Sequence, residues 1–144
     1  MTSAFHHLSK KVVSAALTIS LVLCLIFSTF GISANAARSL MSGQYSKDTI
    51  SVAQSLQETI EIATDDERKA TSEAEAGQLI RDYIGRYRNR PEVNSTMSFT
   101  TMQTALNAMA GHYKTFANRP LPEDLKERLT KELAKGEKLA SRDS

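Results

Sequence analysis

The sequence contains few of the residues that build covalent bridges, metal sites or catalytic centres. Its 144 residues include one cysteine, no tryptophan and three histidines. The single thiol, Cys24, excludes an intrachain disulfide, and the C-x-x-C-H motif of covalently bound haem is missing. His112 is the only histidine beyond residue 7, so a Ser-His-Asp triad would have to be built around one ring. We therefore expect no catalytic residues, no metal and no cofactor.

Charge is missing from a long stretch near the start of the chain. Lys10 and Lys11 precede an uncharged, largely apolar run at 12–32, and small residues follow at Ala34 and Ala36. This order is typical of a Sec-type signal peptide, so we predict residues 1–36 as the signal, cut after Ala36. The run is also about as long as the roughly 20 residues that cross a bilayer, and an uncleaved anchor is the alternative.

The only cysteine lies inside this apolar run. A bacterial lipoprotein needs a small residue immediately before its lipid-bearing cysteine, whereas Leu23 precedes Cys24 in the sequence "LVLC". We therefore expect that Cys24 is not lipidated. Cleavage after Ala36 would leave a protein with no thiol, whose stability rests on packing.

The predicted signal carries the net charge of the chain. Lys10 and Lys11 are its only charged residues, whereas the whole chain has 18 basic and 16 acidic residues. Removing 36 of the 144 residues leaves 108, with 16 basic and 16 acidic side chains. This length is enough for one domain with one core. The charge balance argues against nucleic-acid binding, which depends on a basic excess.

Helical periodicity dominates the remaining sequence, and no strand pattern competes with it. Apolar residues recur three or four positions apart. Pro91 ends the second segment, and Pro122 suits the first turn of the fourth. Four amphipathic helices with short connections favour an all-α, antiparallel up-down-up-down four-helix bundle. We predict an extended N-terminal tail at 37–45 and a helical domain at 46–144, with helices at about 46–63, 65–90, 98–117 and 122–138.

The third predicted helix, "SFTTMQTALNAMAGHYKTF" at 98–116, has two faces of different character. The face opposite the core face carries small uncharged residues. An exposed helix normally carries Glu and Lys on such a face. Either a neighbouring segment covers this face, or it is a docking surface with a low cost of desolvation. The candidate contact residues are Thr101, Thr104, Ala108 and Thr115. The core face has the 3–4 spacing of a packed seam, formed by Phe99, Met102, Leu106, Met109, Tyr113 and Phe116.

Two arginines in the second helix have no acidic residue three or four positions away within that helix. Arg81 and Arg88, in "RDYIGRYRNRP", are seven residues apart and so share a face. By contrast, Asp82 and Arg86 are placed to pair with each other. Free surface arginines are common, but a guanidinium is also suited to a partner's carboxylate. Arg81 and Arg88 are therefore further candidate contacts.

A specific family resemblance rests on four segments that follow one another along the chain: "GQYSKDT", "DYIGRYR", "SFTTMQTALNAMAGHY" and "RPLPEDLKERL". They resemble the small lumenal assembly and repair proteins of photosystem II in cyanobacteria and plastids, the Psb twenty-seven family. The resemblance covers nearly all of the chain after the predicted signal. It implies a four-helix bundle in the thylakoid lumen, associated with the lumenal face of the thylakoid membrane, with no enzyme activity.

The resemblance also implies a partner. Family members bind photosystem II intermediates before or during assembly of the manganese cluster, at the lumenal loop of the inner antenna subunit PsbC. Many cyanobacterial members look like lipoproteins with a cysteine near "GQY", whereas the stretch "SANAARSLMSGQY" has none. A small exported cofactor-binding bundle of the cytochrome type is the alternative function, and a Soret band in the visible absorption spectrum would distinguish it.

Overall fold

A computed structural model describes residues 40–117 and 119–143. These residues form no strand and five α-helices: α1 Tyr45–Glu61, α2 Lys69–Tyr87, α3 Pro91–Asn94, α4 Met97–Thr115 and α5 Glu123–Ala140. The prediction of an all-α fold is confirmed. None of these helices is both long enough and apolar enough to cross a bilayer. The predicted signal peptide, its cleavage site and Cys24 lie outside the described residues.

The second helix begins later than the predicted residue 65 because Asp66 forms a turn ahead of it. The Asp66 carboxylate accepts a hydrogen bond from the backbone N–H of Arg68 at 2.8 Å and pairs with its guanidinium at 2.7 Å. These hydrogen bonds to Arg68 lower the pKa of Asp66 to about 2. Its carboxylate is thus engaged outside the helix, and α2 starts at Lys69.

The second helix also ends earlier than predicted, at Tyr87. Pro91 cannot donate a backbone hydrogen bond, and it starts the separate four-residue helix α3 after an extended Arg90. The next helix then begins at Met97 because Thr96 caps it. The Oγ1 atom of Thr96 accepts from the N–H of Phe99 at 3.2 Å, the bond expected of an N-cap threonine.

The core lies between the inward faces of the four long helices. In α4, Phe99, Met102, Leu106 and Met109 are at most 1 % exposed, as their spacing predicts. The predicted seam continues to Tyr113, which packs against the core, but it does not include Phe116. Tyr113 is only half-buried, and Phe116 is 47 % exposed because it follows the last helical residue.

Contacts at one end of the molecule connect these helices. Thr49, near the start of α1, hydrogen-bonds to the hydroxyl of Tyr83, near the end of α2, at 2.8 Å. Tyr83 also stacks on Phe99 at the start of α4, with 6.2 Å between ring centroids. The hydroxyl of Ser98 donates to the carboxylate of Asp143, beyond the end of α5, at 2.6 Å. Helix α5 in turn contacts both α1 and α4.

Helices α4 and α5 approach closely at Gly136. A Cβ atom added at this position would lie 2.6 Å from the Sδ and 2.7 Å from the Cγ of Met102. Both residues are buried. The thioether of Met102 therefore fills the space that a larger residue at position 136 would need.

Candidate functional site

The two candidate arginines are exposed, Arg81 on α2 and Arg88 directly after it, and neither forms an ion pair with any described residue. Arg81 donates from Nη2 to the side-chain oxygen of Gln78 at 2.7 Å. Arg88 is the residue after the last helical position, and its backbone carbonyl accepts from Asn94 at 3.2 Å. Both guanidinium groups are thus available to an acidic partner.

The surroundings of these arginines differ in two ways from what the spacing predicts. Asp82 accepts a hydrogen bond from the amide of Gln78 at 2.9 Å, and no ion pair joins it to Arg86 among the described residues. The guanidinium of Arg81 lies 3.6 Å from the position of a Cβ on Gly77. The surface beside Arg81 is therefore shaped by Gln78 and Gly77 as well as by charge.

The uncharged face of α4 is open to solvent in the part of the chain that the structure describes. Thr104 and Thr115 are exposed, whereas Thr101 and Ala108 are half-buried at the edge of this face. The Thr104 hydroxyl donates to the carbonyl of Thr100 one turn earlier, at 2.9 Å. The Thr100 hydroxyl likewise donates to the Thr96 carbonyl at 3.1 Å. Both donors are therefore satisfied within the helix.

Two large apolar residues at the ends of α4 are exposed, and sequence reasoning did not predict the exposure of either. Met97, the first residue of α4, is 66 % exposed, and Phe116 is 47 % exposed at the other end of the helix. The ring of Phe116 lies 5.3 Å from that of His112. The position of Met97 directly after the capping Thr96 is the sequence signal that could have indicated its exposure.

The two sets of candidate contacts lie on different elements, the first on α4 and the arginines at the C-terminal half of α2 and directly after it. Phe99 faces α2 through its stacking on Tyr83, whereas Ser98 faces α5 through Asp143. The structure therefore brings Thr101, Thr104, Ala108 and Thr115 together on one helix but does not join them to Arg81 and Arg88.

Sequence reasoning missed a polar cluster in which Asp48 holds the chain that enters α1. Its buried carboxylate accepts from the N–H and the hydroxyl of Ser42 at 2.6 and 2.8 Å, from the N–H of Gly43 at 3.0 Å and from the hydroxyl of Tyr87 at 2.6 Å. Gly43 has a φ of 92°, a conformation that glycine adopts without strain. Asp48, in the segment "GQYSKDT", thus connects residues 42–43 and the start of α1 to the end of α2. We call this cluster the Asp48 clamp.

Burial and hydrogen bonding act in opposite directions on this carboxyl group. Burial raises the pKa of Asp48, but the hydrogen bonds from Tyr87, Ser42 and Gly43 together outweigh it, so the pKa lies below its ordinary value of 3.8. The pKa of Tyr87 is raised by burial and by its bond to Asp48. The guanidinium of Arg90 lies 4.9 Å above the Tyr87 ring. The carboxylate therefore stays ionised in a buried site.

Comparison with known proteins identifies the family. The family model described as "Photosystem II Pbs27" matches residues 6–139. The chain belongs to this family. It is 40% identical to the photosystem II assembly factor lipoprotein Psb27 of Thermosynechococcus vestitus over 104 residues, which cover 72% of this chain and 78% of the relative. It is 41% identical to the photosystem II lipoprotein Psb27 of Synechocystis over 102 residues, which cover 71% and 76%.

Other Psb27 proteins extend the comparison to plants and to solved structures. The photosystem II repair protein PSB27-H1 of Arabidopsis thaliana is 30% identical over 100 residues, 69% of this chain and 58% of the relative. The solution structure of Psb27 from cyanobacterial photosystem II matches with a TM-score of 0.68 and 40% identity, covering 72% of this chain and 90% of that one. The crystal structure of PSB27 from Arabidopsis thaliana matches with a TM-score of 0.67 and 30% identity, covering 69% and 98%.

The names of two Psb27 relatives bear on the lipidation expectation. The Thermosynechococcus and Synechocystis proteins are both named lipoproteins. These names count against the expectation that Cys24 is not lipidated, and residue 24 lies outside the described residues. Membership of the Psb27 family also gives no support to the cytochrome-type alternative.

Proposed function

We propose that this Psb27-family protein is a non-enzymatic assembly and repair factor that binds photosystem II intermediates on their lumenal side. Its contact is the lumenal loop of the inner antenna subunit PsbC, before or during assembly of the manganese cluster. The observation that carries this proposal is the family match over residues 6–139, together with relatives named as an assembly factor and as a repair protein.

The proposed location is the thylakoid lumen, at the lumenal face of the thylakoid membrane. Lys10, Lys11 and the apolar run at 12–32 support export. The proposed domain is an antiparallel up-down-up-down four-helix bundle of α1, α2, α4 and α5. Contacts of Tyr83 with Thr49 and Phe99, and of Ser98 with Asp143, support this topology because they bring together helix starts and helix ends.

We infer two separate contact areas for the partner. The first is the exposed uncharged face of α4, represented by Thr101, Thr104, Ala108 and Thr115. The Thr104 hydroxyl is already hydrogen-bonded within the helix, so covering it leaves no donor without a partner at that position. The second area is the pair Arg81 and Arg88, whose guanidinium groups have no described acidic partner and are suited to carboxylates.

A binding experiment with defined photosystem II intermediates tests this function. Affinity-tagged protein is incubated with intermediates that lack the manganese cluster, and bound complexes are cross-linked and analysed by mass spectrometry. We expect capture of these intermediates, cross-links to the PsbC loop, and loss of capture when PsbC is absent. Equal capture of particles without PsbC would contradict the proposed partner. A Soret band in protein purified from its source would instead favour the cytochrome-type function.

A further inference from the structure

The methionines of the described residues differ sharply in exposure. Met97, at the first position of α4, is 66 % exposed, whereas Met41 is 7 % exposed and Met102 and Met109 are completely buried. Oxidation of a thioether requires that the oxidant reach the sulfur atom. Met97 is therefore the most accessible thioether in the part of the chain that the structure describes.

Packing shields the sulfur atoms of the core methionines. The Sδ of Met102 lies against α5 at Gly136, where an added Cβ would come within 2.6 Å of it. Met102 and Met109 both belong to the hydrophobic core. An oxidant reaches such residues only when the core helices open, and that opening costs much of the free energy of unfolding. Oxidation of the core methionines should consequently be slow compared with that of Met97.

Met97 shares a face of α4 with two of the candidate contact residues. It precedes Thr101 by four residues and Thr104 by seven, and these spacings place side chains above one another on a helix. Of these three residues, Met97 alone has a long apolar side chain, so it has the most apolar surface to bury against a partner. A chemical change at its sulfur therefore alters the face that we propose for docking.

We propose that Met97 is an oxidation site of this protein and that its sulfoxide weakens docking through the uncharged face of α4. The oxidant is a peroxide. The thioether sulfur attacks one peroxide oxygen, an S–O bond forms as the O–O bond breaks, and proton transfer releases the other oxygen as water or, from an organic peroxide, as an alcohol. The sulfur is thereby oxidised by two electrons, and the peroxide is reduced by two.

The sulfoxide changes the chemistry of the face without disturbing the core, because Met97 is exposed. An apolar thioether becomes a polar group, and covering its oxygen without a hydrogen-bond donor costs free energy. Methionine sulfoxide reductases reverse the change. The effect on docking rests on the proposed function, since it requires that the α4 face contact photosystem II intermediates. The assignment of the oxidation site does not depend on that contact.

Peptide mapping of the peroxide-treated full-length chain tests the site. The protein is exposed to dilute hydrogen peroxide for increasing times, and mass spectrometry follows the gain of one oxygen at each methionine. We expect Met97 to react at least about tenfold faster than Met41, Met102 and Met109. Circular dichroism melting shows that the fold is retained when Met97 is oxidised. Equal rates at the four positions would overturn the proposal.

Capture of photosystem II intermediates before and after oxidation tests the effect on docking. Catalase removes the peroxide before mixing, so that only this protein carries sulfoxide. We expect oxidation to weaken capture about tenfold, and methionine sulfoxide reductases of both stereospecificities to restore it. Met97→Leu should abolish the response to peroxide. Met109→Leu, a replacement of similar volume in the core, is the matched control and should respond as the natural protein does.

Two results would overturn the effect on docking: unchanged capture after complete oxidation of Met97, or a response to peroxide that persists in Met97→Leu. Failure of the untreated protein to capture the intermediates would instead overturn the proposed function. In that case the peptide mapping would still decide whether Met97 is the oxidation site.

Discussion

The hydroxyl of Tyr87 donates a 2.6 Å hydrogen bond to the buried carboxylate of Asp48, which joins the end of α2 to the start of α1. The hydroxyl of Tyr113 is also buried but has no hydrogen-bond partner among the described residues. The hydroxyl of Tyr87 therefore stabilises the fold, whereas the hydroxyl of Tyr113 does not, because a buried hydroxyl stabilises only when it is hydrogen-bonded.

Phenylalanine substitutions at these two tyrosines should therefore give different results. Tyr87→Phe removes one of the four donors to Asp48 and should lower the free energy of unfolding by about 1–3 kcal/mol. Tyr113→Phe removes an unpaired hydroxyl and should be neutral or slightly stabilising. Urea denaturation at pH 7 measures both. Equal losses in the two variants would contradict the assigned hydrogen bonding.

Because the pKa of Asp48 is lowered in the folded protein, the free energy of unfolding should depend on pH. Because its pKa is lower in the folded than in the unfolded chain, its contribution is fully present above the ordinary value of 3.8 and is lost as pH falls through the folded value. Asp48→Asn should therefore destabilise the protein at pH 7 and progressively less below about pH 4.

Denaturation curves of the natural protein and Asp48→Asn from pH 7 to pH 2 test this dependence. Asp66, with a pKa of about 2, titrates in the same range but is common to both proteins. The difference between the two curves therefore isolates Asp48. A difference that stays constant with pH would show that the substitution acts through packing alone.

Two helical glycines should respond in opposite directions to alanine. Gly136→Ala places a Cβ 2.6 Å from the Sδ of buried Met102 and should destabilise by about 1–3 kcal/mol. Gly85 is exposed in α2 with no atom within 4 Å of an added Cβ. Gly85→Ala should stabilise by about 0.5–1 kcal/mol, because alanine loses less backbone entropy in a helix. Thermal melting compares them, and a stabilised Gly136→Ala would contradict the close packing.

Charge reversal tests the two proposed contact areas. Arg81→Glu combined with Arg88→Glu should weaken binding to photosystem II intermediates about tenfold. The matched control is Arg128→Glu with Lys135→Glu, two exposed positions on α5 that are also seven residues apart. An equal effect of both double variants would indicate a response to net charge alone.

The α4 face is tested by adding one charge. Thr104→Glu places a carboxylate on the uncharged face and should weaken the same binding, because the charge loses water when it is covered. Ala134→Glu, at an exposed position of α5, is its control. Undiminished binding by Thr104→Glu would remove this face from the contact.

The intact mass of the protein from its source decides how the N-terminus is processed. Cleavage after Ala36 predicts a chain of 108 residues that starts at Ala37. Retention of the apolar run predicts a chain that includes residues 12–32, and lipidation predicts an acylated Cys24. An acylated product would agree with the lipoprotein names of the relatives and contradict the sequence expectation.

Features with a local cause could be predicted from the sequence, whereas features built from distant residues could not. The buried positions of Phe99, Met102, Leu106 and Met109 follow from helical spacing alone. Phe116 continues that spacing but is exposed, because the helix ends at Thr115 and the periodicity no longer determines its direction.

The Asp48 clamp and the Gly136 contact show the same limit. An aspartate in the first turn of a helix is ordinarily read as a favourable charge near the helix dipole, and nothing local indicates that Tyr87 reaches it from α2. A glycine near a helix end ordinarily indicates fraying, whereas Gly136 is buried against Met102, which lies 34 positions earlier. Both depend on which helices become neighbours.

On the uncharged face of α4, the hydroxyl groups of Thr100 and Thr104 donate to carbonyl groups of their own helix. These hydrogen bonds make the face less polar towards a partner than its composition indicates. A partner that covers it displaces water from methyl groups and leaves the hydroxyl bonds intact. Association through α4 should therefore show a negative heat-capacity change and little response to ionic strength. Association through Arg81 and Arg88 should weaken as salt is added. Calorimetry over a range of temperatures and salt concentrations can thus assign the free energy of docking to one helix or the other.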